Sequence, residues 1–202
     1  MRRAVVVLLL LGSPALAQNA PFAEGPITCS SPVAPTDSAK ALMQRHGQEA
    51  VIKDDLSTGV EDITYKGLIL LPHAADWRIE VAFTDETMSR VARLTLRTAK
   101  ASHWNVAGVT IGSSLAEVQK INGKPFLING FDSDAGGFVT NWRGGTLGRP
   151  LPGGCRVIVR FGKNVEAPAG LSGGDVKISS NDVKLAKWGP VVQQIELGFP
   201  EK

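Results

Sequence analysis

Hydroxyl and acidic side chains on two glycine-rich loops are the first candidates for chemistry in this sequence. Residues 170–174 read G-L-S-G-G, the G-x-S-x-G pattern in which a strand and a helix present a nucleophilic serine. Pro168 and further glycines surround the pattern, and no histidine follows His103, although that hydrolase order needs a histidine after the serine. We therefore interpret the segment as a loop without catalytic function.

Two aspartates on the other loop have the spacing that begins a calcium-binding loop. Asp132 and Asp134 precede a pair of glycines, but the remaining ligands are missing and Arg143 stands where the bidentate glutamate belongs. We therefore predict no metal and no cofactor. The same two carboxylates leave open an alternative, a small secreted hydrolase that uses them for acid–base chemistry.

The loop at residues 131–143 is the predicted binding site. It combines Phe131, Asp132, Asp134, Trp142 and Arg143 in one hairpin. Exposed tryptophan and arginine are frequent hot-spot residues at interfaces, and the glycines between them permit close approach of a backbone. The alternative is structural: the aromatic side chains enter the core and the glycines form turns.

The N-terminus has the pattern of a secretory signal peptide. Residues 1–17 contain a basic start, a short apolar run and a small-x-small end, which predicts cleavage between Ala17 and Gln18 and a periplasmic or secreted protein. The apolar run is too short to span a bilayer, which needs about 20 residues. Residues 18–35 are polar and proline-rich, and we predict an extended segment there.

Cysteine content and charge narrow the possibilities further. The chain has 2 cysteines, Cys29 and Cys155, and an even pair in an exported protein predicts a structural disulfide. The net charge of the whole chain is only +3, and Arg2 and Arg3 belong to the predicted signal peptide. Without a basic run or face, neither nucleic-acid binding nor membrane-surface binding is predicted.

Residues 36–202 are predicted to form one α+β domain. Three N-cap candidates, Thr36, Asp37 and Ser38, precede an apolar stripe and predict a helix that stops at Gly47. The S-x-x-E box at Ser114 predicts a second helix that ends at Gly123. In the strand at 77–83, Arg78 and Glu80 face away from the apolar side chains. In the following strand, alternation likewise makes Arg93, Thr95 and Arg97 face away from Leu94 and Leu96. The other predicted strands are 50–56, 63–71, 126–128, 138–142, 156–161 and 191–199.

Two halves of this domain resemble each other weakly. Residues 77–83 resemble 155–161, and residues 91–96 resemble 192–197, with a helix and strand preceding each pair. A tandem duplication of halves 36–100 and 104–202 would explain the likeness, but any two α+β halves can be aligned in this way.

Residues in and around the second predicted helix carry two family resemblances. The chain resembles a group of uncharacterised bacterial exported proteins in residues 108–118, the N-G-K-P-F segment from Asn122, the pair Gly130 and Phe131, the D-x-G-G segment from Asp134 and the W-R-G-G-T-L segment from Trp142. This resemblance implies no known activity. Ser133 and Ala135 stand where that group has aromatic residues. The I-G-S-S-L-A-E-V segment is also similar to the helix-on-sheet module of outer-membrane assembly lipoproteins, which occurs in tandem in a secreted β-lactamase inhibitor. Such modules bind proteins.

The sequence therefore predicts an exported α+β protein with antiparallel sheet and two short helices. The predicted function is a non-enzymatic binding or protein-interaction module of the bacterial envelope. The carboxylate-based hydrolase and a small-ligand carrier with a cavity between helices and sheet remain alternatives.

Overall fold

The computed structural model describes residues 25–58, 63–97 and 103–200. The predicted signal peptide and its cleavage site lie outside these residues. The helices are α1 (Ala39–His46), α2 (Leu115–Asn122) and α3 (Val183–Trp188). The strands are β1 (Pro26–Ile27), β2 (Ala50–Ser57), β3 (Thr64–Leu70), β4 (Ile79–Phe83), β5 (Val91–Arg97), β6 (Asn105–Val106), β7 (Leu127–Asn129), β8 (Val139–Asn141), β9 (Arg156–Gly162), β10 (Lys177–Ser179) and β11 (Val191–Gly198).

The two predicted helices are confirmed together with their caps. The Ser38 side chain accepts a hydrogen bond from the Ala41 amide at the start of α1. At the start of α2 the capping box is complete, because Ser114 caps the Glu117 amide and the Glu117 carboxylate accepts from the Ser114 amide. Within the described ranges no helix is long and apolar enough to cross a membrane.

A six-stranded antiparallel sheet organises the fold, with the order β2-β3-β4-β5-β11-β9. One face of this sheet contributes Ile79, Leu94, Ile195 and Val159 to the hydrophobic core, where they join apolar residues of α1 and α2. A three-stranded sheet, β10-β7-β8, adjoins β9 through a bridge between Phe138 and Arg160. The predicted α+β class with antiparallel sheet is thereby confirmed.

The strand order is symmetric about the junction of β5 and β11. The sequence likeness equates β4 with β9 and β5 with β11, and these strands lie in the order β4-β5-β11-β9. A duplicated helix-on-sheet unit would produce this arrangement if the two sheets joined edge to edge. The duplication itself stays a prediction.

The predicted disulfide joins Cys29 and Cys155, whose Cα atoms are 5.5 Å apart. It connects the N-terminal segment to the beginning of β9, and β1 of that segment pairs in parallel with β6. Both cysteines are buried in the core. The disulfide therefore anchors the segment that precedes α1 to the beginning of β9.

Sequence reasoning missed α3 and β10. The α3 helix begins after Asp182, whose carboxylate accepts from the amides of Lys184 and Leu185, and it ends at Gly189 in the left-handed conformation. Both signals are visible in the sequence, but a helix this short has no periodicity long enough to recognise.

Candidate functional site

The most unusual part of the molecule is the outer face, which we define as the surface of the six-stranded sheet opposite the hydrophobic core. Successive side chains of a strand point to opposite faces, so the core positions of β4, β5 and β11 alternate with polar positions on this face. The residues that form the cluster described below, here called the arginine–glutamate cluster, are Tyr65, Arg78, Glu80, Arg93, Thr95, Arg97, Arg160, Gln194 and Glu196.

A row of three polar residues runs across the centre of the outer face. Glu80 on β4 is opposite Thr95 on β5, and Thr95 is opposite Glu196 on β11. Their exposed fractions are only 8%, 0% and 5%. Buried polar groups are unfavourable unless they find partners, so this row needs a specific explanation.

Arginine side chains cover both carboxylates. A nitrogen of the Arg78 guanidinium lies 3.1 Å from Glu80 Oε1, and Arg97 Nε lies 3.6 Å from Glu80 Oε2. On the other side of the row, an Arg93 nitrogen lies 3.5 Å from Glu196 Oε2. Gln194 donates a hydrogen bond to Glu196 Oε1. The carboxylates are thus buried under guanidinium groups that themselves reach solvent.

Arg160 extends the cluster toward the predicted binding loop. Its Nε donates to the Gly136 carbonyl at 2.7 Å, and its guanidinium lies 5.1 Å from the centre of the Phe138 ring. Burial lowers the pKa of Arg160, and the neighbouring Arg97 lowers it further, while Asp134 and Glu196 act in the opposite direction. Arg160 therefore connects β9 and the predicted binding loop to the row of Glu80, Thr95 and Glu196.

Several polar atoms of the cluster have no hydrogen-bond partner among the described residues. They are the hydroxyls of Tyr65 and Thr95, one carboxylate oxygen of Glu80, and the Nε atoms of Arg78, Arg93 and Arg97. Burial raises the pKa of Tyr65, as does Glu80, whereas Arg93 and Arg97 lower it. Potential donors outnumber potential acceptors in this set.

The five predicted site residues do not converge on one site. Phe131 is only 4% exposed, and its ring packs edge-on against Trp188 at 4.6 Å between centroids. Trp142 is half-buried against a different ring, that of Phe126, at 5.2 Å. The aromatic members of the loop thus serve the core, as the structural alternative expected.

The polar members of the predicted site are exposed and separately engaged. Asp132 Oδ2 accepts from the Ala167 amide at 3.1 Å, and Arg143 has a left-handed backbone with φ 51°. Asp134 alone is linked to the outer face, through its electrostatic effect on Arg160. A binding role for this loop stays a prediction.

The contacts of Asn122 explain structurally why the N-G-K-P and W-R-G-G segments contain these residues. It is 1% exposed, and its amide donates to the carbonyls of Lys124 and Trp142 and accepts from the Leu147 amide. Gly145 lies so close that a Cβ there would be 2.2 Å from the Asn122 Oδ1 atom. These residues fasten the loop to the end of α2.

The other candidates for chemistry have ordinary surroundings. Ser172 is exposed, and the residues after its loop form a short strand, β10, where a nucleophile elbow requires a helix. His103 stacks on the Trp77 ring at 4.5 Å. In the described part of the chain, no group of three or more His, Cys, Asp or Glu residues could hold a metal ion.

An apolar groove of about 470 Å³ lies beside α1. Met43 of α1, Ile52 of β2 and Met88 of the loop between β4 and β5 form its apolar lining. The groove occupies the helix–sheet boundary at which the small-ligand alternative expects a cavity.

Sequence reasoning assigned the outer-face residues of the two strands at 77–83 and 91–97 to the correct side but gave them no function, and it made no such assignment for Tyr65, Arg160, Gln194 or Glu196. The available signal was the charged alternation in two strands, Arg78 with Glu80 and Arg93 with Arg97. What converts these residues into a cluster is the pairing of β5 with β11, which joins residues far apart in sequence.

Comparisons with protein-family models, with curated proteins and with solved structures found no match to this chain.

Proposed function

We propose that this chain is a non-enzymatic binding protein whose recognition surface is the outer face of the six-stranded sheet. The observation that carries the proposal is the buried row of Glu80, Thr95 and Glu196 beneath arginine side chains. Solvent-facing positions of an antiparallel sheet are normally occupied by hydrated polar residues. Here they form a shielded polar cluster in which several donors have no partner within the part of the chain that the structure describes.

Stability alone gives a poor explanation for such a cluster. Replacing a buried ion pair by apolar residues of similar volume is often neutral or stabilising, so buried charges contribute little net stability. Arginine, by contrast, is enriched among the residues that dominate binding energy at protein interfaces. A set of guanidinium groups already oriented by Glu80 and Glu196 loses little side-chain entropy when a partner binds.

We infer that the partner is a protein and that binding takes place outside the cytoplasm. The disulfide between Cys29 and Cys155 is compatible with an oxidising compartment, where such bonds persist. The signal-peptide pattern of residues 1–17 and the resemblance to envelope modules support the same location. The symmetric strand order supports a tandem helix-on-sheet module.

Site-specific photo-crosslinking in the cells that make the protein tests this proposal. Lys53 and Arg156 are exposed residues at opposite ends of one cross-strand row on the outer face, so each is replaced in turn by a photoreactive amino acid. Lys120 on α2 and Lys187 on α3 are matched exposed controls on the helices. We expect the same discrete adduct from both outer-face positions and none from the helices. Equal labelling from all four positions, or no adduct from the outer face, would contradict the proposal.

The groove beside α1 supports a second candidate, a carrier of one small apolar ligand. Its volume of about 470 Å³ falls within the range of small-molecule sites. Ile52→Asp would place a charge in its lining, whereas Lys53→Asp changes the neighbouring residue on the opposite face. A fluorescent apolar probe that binds the unaltered chain and the Lys53 variant but not the Ile52 variant would support the carrier. Absence of probe binding to the unaltered chain would reject it.

The hydrolase alternative receives less support from the geometry. Asp132 is engaged by the Ala167 amide, and Asp134 is an exposed residue near Arg160. A general acid–base pair needs both groups within hydrogen-bond reach of one substrate, normally in a concave site. Unchanged turnover of any hydrolytic activity in Asp132→Ala and Asp134→Ala variants would exclude these carboxylates from catalysis.

A further inference from the structure

The two ends of the six-stranded sheet differ, and the end formed by β2 is open. At the other end the edge of β9 is covered, because Phe138 bridges to Arg160 and the Phe161 amide donates to the Gly137 carbonyl. Strand β2 ends the strand order, and β3 is its one partner among the described strands. An open strand edge presents backbone amides and carbonyls that can pair with one more strand.

The register with β3 shows which backbone groups of β2 face the open edge. The Leu71 amide donates to the Glu49 carbonyl, so the ladder between these strands begins at Glu49. Hydrogen-bonded and non-hydrogen-bonded positions alternate along an antiparallel strand. Val51, two residues further on, therefore bonds to β3. The amide of Ile52 and the carbonyl of Ala50 point the other way, toward the open edge.

Features that protect an edge strand from pairing occur only in the second half of β2. The ladder has a bulge between Lys53 and Leu56, and the acidic residues Asp54 and Asp55 lie within it. Bulges and exposed charges are the usual means by which proteins prevent a further strand from adding to an edge. The segment 49–53 precedes the bulge, keeps a regular register and carries charges only at its two ends.

The sequence of this regular segment is complementary to itself in the antiparallel direction. Residues 49–53 read E-A-V-I-K. If two copies pair about Val51, each Lys53 lies opposite Glu49 of the other copy, and each Ile52 lies opposite Ala50. Opposite charges at directly opposed positions stabilise a strand pair. Glu49 and Lys53 are both exposed in the single chain. In the same register the Ile52 amide of each copy donates to the Ala50 carbonyl of the other.

The apolar groove beside α1 lies next to this edge. Ile52 lines the groove together with Met88 and with Met43 of α1, which is 41% exposed. Side chains two residues apart on a strand share one face, so Ala50 of a second copy would lie beside Ile52 on the face that carries the groove. Methionine side chains adapt readily to such a contact. Pairing of two copies therefore covers apolar surface that one copy leaves exposed.

We propose that the open edge of β2 is a dimerisation site for a second copy of this chain, paired antiparallel about a twofold axis at Val51. The contact is isologous, since the same segment of each copy meets itself. The two six-stranded sheets join into one continuous sheet, and their outer faces come to lie side by side. The dimer uses the sheet edge and not the outer face, so its failure would leave the proposed function unaffected.

Sedimentation velocity of the disulfide-bonded chain tests for the dimer. We expect a monomer–dimer equilibrium between about 10 µM and about 1 mM, because a contact along one strand edge is small. Lys53→Glu and Glu49→Lys each place like charges opposite each other in two symmetric pairs, and each should weaken dimerisation about tenfold. The double variant restores opposite charges and should dimerise as the unaltered chain does. Lys187→Glu, the same charge change at an exposed position on α3, is the matched control and should have no effect.

A cysteine at the proposed axis measures the register. The two Val51 residues would form a non-hydrogen-bonded pair with Cα atoms about 4.5 Å apart, which lies within the range of a disulfide. Val51→Cys should therefore link two copies covalently on oxidation. In Lys53→Cys the two cysteines would be offset by four strand positions, about 14 Å, and should stay unlinked.

Each possible failure identifies the step that is wrong. A chain that stays monomeric throughout the concentration range would overturn the proposal, and binding of an apolar probe to that monomer would assign the groove to a small ligand. A dimer that Lys53→Glu leaves unchanged would show that another surface pairs. Equal covalent linking of the two cysteine variants, or a double charge variant that stays monomeric, would overturn the register about Val51.

Discussion

Replacing Thr95 by valine is predicted to stabilise the protein. Thr95 lies in the middle of the outer face, is 0% exposed, and its hydroxyl has no hydrogen-bond partner among the described residues. Valine has nearly the same shape and an equally good propensity for strands, so the substitution exchanges a buried hydroxyl for a methyl group. The neighbouring pairs of Glu80 and Glu196 with arginine are left in place.

The size of the effect follows from the cost of the buried hydroxyl. A buried polar group without a partner costs roughly 1–3 kcal/mol in the folded state, and removal of the group releases that cost. We expect the free energy of unfolding to rise by about 1 kcal/mol, the lower end of this range, because the nearby guanidinium groups reach solvent. For a chain of this size the melting temperature should rise by about 2–4 °C.

Denaturant unfolding of the two proteins measures this difference directly. Thr64→Val on β3 is the matched control, since Thr64 is exposed and its hydroxyl is hydrated in both folded and unfolded states. The control should change stability by less than about 0.5 kcal/mol. A loss of 1 kcal/mol or more in the Thr95 variant would show that its hydroxyl makes a stabilising hydrogen bond, which refutes the reasoning.

Three further predictions concern the disulfide, the loop and the single tyrosine. Replacing Cys29 and Cys155 by alanine should lower the free energy of unfolding by about 2–5 kcal/mol, measured in denaturant, because the bond closes a loop with a sequence separation of 126 residues; an unchanged midpoint would contradict this. Gly145→Ala should destabilise by at least about 1 kcal/mol, since its Cβ would meet the buried asparagine at the end of α2. A Cβ on Gly198 would lie 3.9 Å from the Ile158 side chain, its nearest non-adjacent neighbour among the described residues, so Gly198→Ala should be neutral; equal melting temperatures of the two variants would contradict this. Absorbance at alkaline pH should show Tyr65, the one tyrosine of the chain, ionising above its ordinary pKa because of burial and Glu80. The folded state then keeps the phenolic proton to higher pH than the unfolded chain, so stability falls as pH rises between the two pKa values. An ordinary midpoint would contradict the buried environment.

Features encoded by neighbouring residues could be predicted from the sequence. The serine before α1 and the capping box of α2 are local signals, because each cap bonds to an amide within three residues. The strands β4 and β5 were visible as alternating apolar and polar residues. The disulfide followed from there being two cysteines in a chain with the pattern of an exported protein.

Features that depend on distant pairing could not be predicted. Thr95 becomes part of a buried row only because β11 pairs with β5, which brings Glu196 beside it across about half the chain. No local pattern specifies that register. The short elements α3 and β10 were missed because so few residues give no measurable period.

In the predicted binding loop, the same glycines are expected of a recognition site and of a tightly packed turn. Paired glycines beside Trp142 are typical of binding loops, but these glycines are required by packing. A Cβ on Gly137 would lie 1.9 Å from the Phe161 carbonyl oxygen, and one on Gly145 would overlap the Asn122 amide. The residue types are visible in the sequence, but only the three-dimensional contacts separate a structural requirement from a recognition requirement.

Arginine footprinting tests the central claim, that the outer face is the recognition surface, most directly. Phenylglyoxal modifies exposed guanidinium groups, and mass spectrometry compares the purified chain with the chain in an extract of the cells that make it. We predict that Arg78 and Arg93 become protected in the extract, while the exposed Arg143 and Arg149 react equally in both samples. Unchanged reactivity of Arg78 and Arg93, or equal protection of all four arginines, would contradict the account.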